Sequence, residues 1–415
     1  MTLTEKHVIN KNNSLFPILD ELCFKSKNLY NATLYRIRQE YFSSKIYLGY
    51  FSIQREFQKN KQFDYQKLPA KTSQQTMRMV DQNFKSFFRA LKEYQKCPRK
   101  FKGRPKIPGY LDPVDGRFLV IYTYQGISKK ILDNKGLIKL EKEEIYFKSK
   151  VKHKDLCQVR IVPKGNCIVV EVVYEVPDVQ LLLDNGKYAS IDLGVGNLAT
   201  LCTNLKGEKP IVYSGKPIKS WNRYYNKSVA YYKEILDTTN KGKRKHWSKR
   251  LEKITFKREM KIQDYFHKVS RDIVNYLVSR EINTLIIGNN QGWKQNTSLG
   301  KIGNQNFIQI PFLKLIRMLE YKCRLEGINF YITTEEYTSK CSFLDQESIC
   351  KHDQYLGKRI YRGLFKSSGG ILINADVNGS YNILRKCKPN AFNGFRIKSN
   401  GIVDVVVHPI IKNIY

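Results

Sequence analysis

The chain has 415 residues and carries 73 lysines and arginines against 37 aspartates and glutamates, a formal net charge of +36. This length excludes a single small module and leaves room for two or three domains with substantial cores. The charge exceeds what solubility needs and implies a polyanionic partner. With 27 tyrosines and 21 phenylalanines, many beside basic residues, nucleic acid fits better than a membrane. Bases stack on rings while phosphates neutralise cations. Composition alone leaves open a ribosome-associated or other basic RNA-binding protein. No run of about 18 apolar residues is present to span a bilayer, and Met1-Thr2-Leu3-Thr4-Glu5-Lys6-His7 lacks the apolar core of a signal peptide. Nine cysteines without any CxxC pair predict a reduced, cytoplasmic chain.

From about 16 to 60, Leu15, Ile18, Leu19, Leu22, Leu29, Tyr30, Leu34 and Ile37 recur at three- and four-residue steps and predict helix. Leu68-Pro69-Ala70 opens a second helical segment with Phe84, Phe87, Phe88 and Leu91 as its apolar stripe. Lys71 and Gln75, four apart, share one of its faces, with Arg78 in the same turns. That face is either solvated or set against DNA. Cys97 to Lys106 follows, where Arg99, Lys100, Lys102, Arg104 and Lys106 are broken by Pro and Gly. The stretch suits an extended arm on a phosphate backbone, or a plain basic linker. Between about 117 and 180, Phe118 to Tyr122, Val159 to Val162 and Cys167 to Tyr174 read as strands between turns. Together with residues near 3 to 12 they predict a small β-barrel carrying the helices as an excursion.

Tyr188 to Thr200 then places one carboxylate, Asp192, in an apolar strand before Gly194 and Gly196. A lone buried charge is costly, so Asp192 either caps a hairpin turn or binds a metal ion. Trp221 to about Leu277 is helical and loaded with cations, including Lys243 and Arg244, and breaks at Thr239 to Lys243 into two antiparallel pieces. Asn283 to Gly288 is a short apolar run of parallel-strand type. Pro311 to about Glu326 predicts a helix leading into another strand within Ile328 to Ser339, with Glu335 and Glu336 at its end, a mixed α/β layout. Asp376 falls at or near the start of a last helix, as an N-cap or a ligand. Asp192 on a first strand, an acid at a later strand end and Asp376 at a terminal helix together have the layout of an RNase H-like nuclease. Two divalent ions cutting a phosphodiester need several converging carboxylates, and magnesium prefers such hard oxygen ligands.

Four stretches resemble the TnpB proteins of bacterial insertion sequences, compact RNA-guided nucleases related to type V CRISPR effectors. They are Leu68-Pro69-Ala70-Lys71-Thr72-Ser73-Gln74-Gln75 with Phe84-Lys85-Ser86-Phe87-Phe88; Ile191-Asp192-Leu193-Gly194; Tyr337-Thr338-Ser339-Lys340-Cys341-Ser342; and Asn374-Ala375-Asp376-Val377-Asn378-Gly379-Ser380-Tyr381-Asn382-Ile383. The resemblance runs nearly end to end. It implies an α/β plus β-barrel, multi-domain fold: a wedge barrel over 1–14 and 107–184, an inserted helical recognition domain over 15–106, and a RuvC-like nuclease domain over 185–415. The last would hold a basic helical hairpin at 219–280 and an inserted nucleic-acid-binding loop at 340–370. It further implies a guide RNA from the transposon end, a double-stranded DNA target with a short flanking motif, a monomer in the RNA complex, two Mg²⁺ ions, and a bacterial or archaeal cytoplasm at the nucleoid. In that family the Lys71 and Gln75 region matches residues approaching the DNA motif. With Arg78, Lys100, Lys102, Arg104, Lys106, Lys243 and Arg244 they form the expected nucleic-acid contacts.

Three departures from the family pattern stand out. The family's second acid ends the strand that here closes on Gly288, and no Asp or Glu occurs from Thr284 through Met318. The nearest acids are Glu335 and Glu336, which strand alternation sends to opposite faces. A subset of the family has its glutamate two residues before the Tyr-Thr-Ser tyrosine, which selects Glu335 as the third catalytic ligand beside Asp192 and Asp376. Where relatives carry two CxxC pairs, this chain has only Cys341, Cys350 and His352, which match no standard four-ligand zinc site, so no zinc is expected. Asn374 stands where the family has an Asp, which removes a charge near the site. The expected function is RNA-guided, metal-dependent DNA cleavage. The alternative is a nuclease-inactive RNA-guided repressor, favoured by Gly288 and opposed by Asp192 and Asp376. A transposase is disfavoured, since no tyrosine nucleophile with a paired-His motif is present.

Overall fold

Alternating exposed and half-buried residues from Thr2 to Asn10 form β1, which pairs antiparallel with a later strand along its full length, from Thr2 opposite Glu175 to Asn10 opposite Cys167. The structure is a computed structural model that describes residues 1–239, 248–290, 307–398 and 401–414. It divides into two compact units, Met1–Pro177 and Asp178–Tyr415.

In the first unit, four helices follow β1: α1 (Phe16–Ser44), α2 (Tyr50–Lys59), α3 (Phe63–Gln66) and α4 (Ala70–Lys96). Then come β2 (Val120–Thr123), α5 (Lys129–Lys135), β3 (Leu137–Lys139), β4 (Tyr146–Lys148), β5 (Leu156–Lys164) and β6 (Cys167–Glu175). The main sheet is antiparallel in the order β1-β6-β5-β2, while β3 and β4 pair as a separate hairpin. Among the described residues no ladder joins β1 to β2, so the expected closed barrel is instead an open four-stranded sheet. The reason is the helices. The predicted apolar positions Leu19, Leu22, Leu34 and Ile37 of α1 and Phe84 of α4, joined by Val80, share one core with Val159, Val170 and Val172 of the sheet. A face covered in this way has no need to curl on itself. The Ser26 hydroxyl, paired with Thr76 at 3.0 Å and donating to the Leu119 carbonyl at 2.9 Å, ties α1, α4 and the start of β2 together. The helical stretch is therefore part of this unit's core.

The second unit is built on β7 (Tyr188–Leu193), β8 (Asn197–Thr203) and β9 (Ile211–Ser214), followed by α6 (Lys216–Thr239), α7 (Lys249–Ser279), β10 (Thr284–Gly288), α8 (Phe312–Leu325) and β11 (Asn329–Thr333). Beyond them lie β12 (Lys358–Tyr361), β13 (Leu364–Lys366), β14 (Leu372–Asn374), α9 (Ala375–Cys387), β15 (Ile397–Lys398), β16 (Gly401–Ile402) and β17 (Ile410–Lys412). The central sheet runs β11-β10-β7-β8-β9-β17. β7, β8 and β9 form an antiparallel meander, and β10 and β11 add in parallel to β7. One face, with Ala189, Ile191, Leu285 and Ile287, packs under α7 and α8. On the other, Ile286 meets Ile383 and Leu384 of α9, and Cys202 meets Val377 and Tyr381.

The expected boundary at 184/185 moves to Pro177/Asp178. Residues after 177 are already tied to the second unit, with the Leu182 amide donating to the Gly327 carbonyl at 2.8 Å and Asp178 paired with Arg324 at 3.0 Å. The 340–370 segment is not wholly loop, since it contributes β12 and β13 to a three-stranded sheet with β14. No helix of the described residues is long and apolar enough to cross a membrane.

Candidate active site

Asp192 sits one residue before the end of β7, opposite Thr200 of β8, on the sheet face that carries Ser190. Two small side chains let α9 close on that face. The Ser190 and Ser380 hydroxyls meet at 3.0 Å, and a Cβ added to Gly379 would stand 2.8 Å from Asp192 Oδ2. Any larger residue at 379 would push the helix off the aspartate, which accounts for the glycine in the middle of α9.

Asp376 is the second residue of α9. The helix cap is Asn374, whose side-chain oxygen accepts from the Asp376 and Val377 amides at 3.0 and 3.2 Å. The N-cap alternative for Asp376 is thus taken by its neighbour, and the Asp376 side chain is free to engage the site. An N-cap is what Asn does well, so Asn374 preserves this position's structural task without a charge. Asn197, the first residue of β8, donates to Asp376 Oδ2 at 2.6 Å, and the Arg359 guanidinium on β12 lies 3.6 Å from Oδ1.

Glu335 lies two residues beyond the end of β11, not within the strand as expected. Its amide donates to Asn290 Oδ1 at 2.8 Å, and its carbonyl accepts from the Thr338 hydroxyl at 2.8 Å. The turn is closed by Tyr337, whose φ of 63° lies in the left-handed region. A bulky residue holds that conformation at a cost of about 1–2 kcal/mol, a local strain characteristic of functional sites. The carboxylate of Glu335 turns inward over β10, whereas Glu336 is exposed. A Cβ at Gly288 would stand 2.7 Å from Glu335 Cγ and 2.9 Å from its Oε1. The glutamate thus occupies the space that a side chain from the end of β10 would need.

Electrostatics tie the three acids together. Desolvation first, and then the charges of Glu335 and Asp376, push Asp192 well above the usual carboxylate range, opposed by Arg359. Burial pushes Glu335 up to about 7, and its Oε1 is buried without a hydrogen-bond partner. The Thr200 hydroxyl opposite Asp192 is likewise buried and unpaired. Carboxylates crowded in this way are stable only if protonated or if a cation joins them, and hard oxygen donors of this kind suit a divalent ion. Among the described residues no three His, Cys, Asp or Glu side chains already converge on one coordinating point. Asp376 is held by Asn197 and Arg359.

The other expected contacts are more dispersed. Lys71 and Arg78 are exposed on α4 and Gln75 is half-buried between them, with Arg78 stacked 4.7 Å over the Tyr50 ring. Lys100 closes a single 3₁₀ turn and pairs with Glu93 at 2.8 Å, so that part of the expected extended arm is wound and internally neutralised. Lys102, Arg104 and Lys106 are exposed. Lys243 and Arg244 lie outside the described residues, as does the stretch after Asn290 through Asn306. Cys341 is buried and directs its thiol at the Cys350 carbonyl, while Cys350 Sγ lies 3.4 Å from His352 Nε2. Sequence reasoning missed Asn197, Arg359 and Asn290. Only Asn374, standing just before a helix, carried a readable signal.

The family model described as "Probable transposase" (OrfB_IS605) matches residues 171–294, and "Cas12f1-like, TNB domain" matches 312–383. The TnpB-like protein ORF457 of Acidianus two-tailed virus is 25% identical over 224 residues, 52% of this chain and 46% of that protein. The CRISPR-associated endodeoxyribonuclease Cas12f2 of Micrarchaeota archaeon (strain CG1_02_47_40) is 27% identical over 221 residues, 50% of this chain and 38% of that protein. The match therefore spans less than half the length of either curated relative. Among solved structures, a Cas12f1–sgRNA–target DNA complex aligns over 92% of this chain and 98% of that one at 16% identity and a TM-score of 0.35. The mini-RNA-guided endonuclease CRISPR-Cas_phi3 aligns over 56% of this chain and 52% of that one at 14% identity and a TM-score of 0.33. Together these matches support a TnpB family protein related to type V effectors.

Proposed function

We propose that the protein is an RNA-guided, metal-dependent DNA endonuclease of an IS605-type element, cutting beside a short flanking motif. The observation that carries this reading is the buried Asp192, on which the charges of both Glu335 and Asp376 act, together with a Glu335 oxygen that is buried and has no hydrogen-bond partner. The β11-β10-β7-β8-β9 order, with an antiparallel meander first and parallel strands added, supports an RNase H-like, RuvC-type assignment for the second unit. The first unit, with its sheet and helices, is the candidate for the wedge and recognition functions.

Asp192, Glu335 and Asp376 would hold two Mg²⁺ ions, which supply charge neutralisation at the attacking and leaving oxygens of the phosphodiester. The chain's own residues then have separate tasks. Asn197 orients the Asp376 carboxylate from the start of β8. Asn290, through the Glu335 amide, and the left-handed Tyr337 hold Glu335 over Gly288. Arg359, half exposed beside Asp376, would present a guanidinium to an approaching phosphate. Guide pairing would select the sequence, while the protein reads the flanking motif and backbone shape. The Lys71, Gln75 and Arg78 face, with Lys102, Arg104 and Lys106, would serve those contacts. The expected particle is a monomer on its RNA, in the cytoplasm, and free of zinc.

The test is plasmid cleavage in magnesium by protein co-purified with RNA transcribed from the element's end. Wild type should cut and Asp192→Asn should bind target without cutting. A wild type that binds its target and never cuts would establish the repressor reading instead. One equivalent of zinc in purified protein would sink the zinc-free assignment.

A further inference from the structure

Beyond the carboxylate cluster, α6 and the first half of α7 run antiparallel. Asn222 Oδ1 accepts from Arg258 at 2.7 Å, the Tyr225 hydroxyl meets Thr255 at 3.2 Å, and the Tyr232 hydroxyl accepts from Arg250 at 3.1 Å. As the number rises on α6 it falls on α7. Between them lies a cleft of about 870 Å³ whose two walls differ in chemistry. The α6 wall is mainly aromatic, with Trp221, Tyr224, Tyr225, Tyr231 and Tyr232 beside the single cation Lys227. The α7 wall is cationic, with Arg250, Lys253, Lys257, Arg258 and Lys261 around Ile254. Among the described residues no acid lines the cleft, although Glu234, Asp237, Glu252 and Glu259 lie on the same two helices.

Three of the cations already sit against rings: Arg250 at 5.3 Å from the centroid of Tyr232, Arg258 at 4.9 Å from Tyr225, and Lys261 at 5.8 Å from Trp221. Tyr224 and Tyr231 are 73% and 59% exposed. Rings on one side and cations on the other suit a single strand, whose bases stack while its phosphates are neutralised. A duplex offers stacked bases no ring can reach, so it would use the cationic wall alone.

The position of the cleft names the strand. α6 leaves the sheet two residues after Ser214, which pairs with Asn197, the residue that holds Asp376. The Gly215 amide donates to the Gly196 carbonyl, in the turn that follows Asp192. On α7 the same level is marked by Tyr265, whose hydroxyl donates to the Ser214 carbonyl at 2.6 Å. The cleft begins one helical turn beyond that level, at Trp221 and Lys261. From there it extends outward to Tyr232 and Arg250, about 16 Å at the helical rise per residue. That length matches about five phosphates at the spacing of one DNA strand.

We infer that this cleft is a track for the single DNA strand being cut, leading it to or from the Asp192 site by stacking on α6 and charge pairing on α7. The chemistry of the cleft stands by itself, while the identity of the strand rests on the nuclease reading. The test uses full-length protein in chelator, with a 5-iododeoxyuridine-labelled single-stranded oligonucleotide, the matching duplex and the matching RNA. Photocrosslinks should map to Tyr224 and Tyr231. Tyr224→Ala with Tyr231→Ala should weaken single-strand binding tenfold or more, the Tyr→Phe pair should bind like wild type, and duplex binding should change less than twofold. Replacing Lys253, Lys257 and Lys261 with Ala should flatten the slope of log affinity against log salt by about 2.

Crosslinks confined to other surfaces, or a double Ala variant that binds normally, would overturn the track. Tighter binding of the RNA at these rings would overturn its assignment to the DNA strand. Because binding is read without magnesium, a protein that fails to cut yet crosslinks at Tyr224 and Tyr231 refutes only the nuclease reading. One that cuts without crosslinking there refutes only the track.

Discussion

Gly288→Ala is the most direct probe of why the third acid comes from outside β10. The new Cβ would lie 2.5 Å from Ile383 Cδ1, 2.7 Å from Glu335 Cγ and 2.9 Å from Glu335 Oε1. Ordinary carbon contacts lie at about 3.5–4.0 Å, so both neighbours must retreat by about 1 Å. Overpacking of this size costs about 1–3 kcal/mol. A carboxylate displaced by about 1 Å costs on the order of 10²-fold in rate. Gly288→Ala should therefore melt earlier and cut about 100-fold more slowly in a guided cleavage assay with saturating magnesium. Gly288→Asp with Glu335→Ala moves the acid to the strand and empties the space it needs, leaving only the tip of Ile383 to rotate. That double variant should recover at least about tenfold over Glu335→Ala alone, a small part of the same positional loss. Wild-type stability and rate in Gly288→Ala, or a double variant no better than Glu335→Ala, would refute the account of a shared volume.

Asn374→Ala should cost about 1 kcal/mol of stability through loss of the α9 cap, with Asn374→Asp near wild type; equal loss in both would mean the residue acts at the site. Arg359→Ala should lower the magnesium concentration for half-maximal binding by calorimetry about two- to fivefold, since an exposed pair of this kind competes by no more than about 1 kcal/mol; unchanged or weaker binding would count against competition at Asp376. Lys322 is buried, donates to the His267 carbonyl and the Ser270 hydroxyl, and is held down to about 8 by burial and by Arg271. The unfolded chain binds that proton more readily, so the penalty is full below pH 8 and fades as pH rises toward the ordinary lysine value of about 10.4. Urea unfolding should show Lys322→Met losing about 2 kcal/mol relative to wild type between pH 7 and pH 9.5. A pH-independent gap would mean Lys322 titrates normally.

Much of this was legible in the chain. The apolar steps of α1, the cation-rich pair α6 and α7, and the short apolar β10 all follow from periodicity, because each has one dominant burial pattern. The placement of Asp192 at a strand end and of Asp376 in a first helical turn follows from local punctuation. What sequence could not supply is anything set by which strand lies beside which. Asn197 reaches Asp376 because the β7–β8 turn brings it under α9, and Arg359 because β12 joins a small sheet with β14. Neither spacing means anything along the chain. The open sheet of the first unit is hidden for the same reason: its strands have the alternation of a barrel, while α1 and α4 share one core with the sheet.

The seam between β7 and α9 also has a bearing on timing. Ser190 and Ser380 meet across 190 positions of chain, so Asp192 is synthesised and its strand can pair long before its partner helix exists. On the proposed reading, a nascent or prematurely terminated chain displays a folded basic surface, able to hold nucleic acid, with only part of its cutting centre. Competence to break DNA would arrive late in translation, when α9 slides its glycine over the waiting aspartate, and a truncated product would bind without harm.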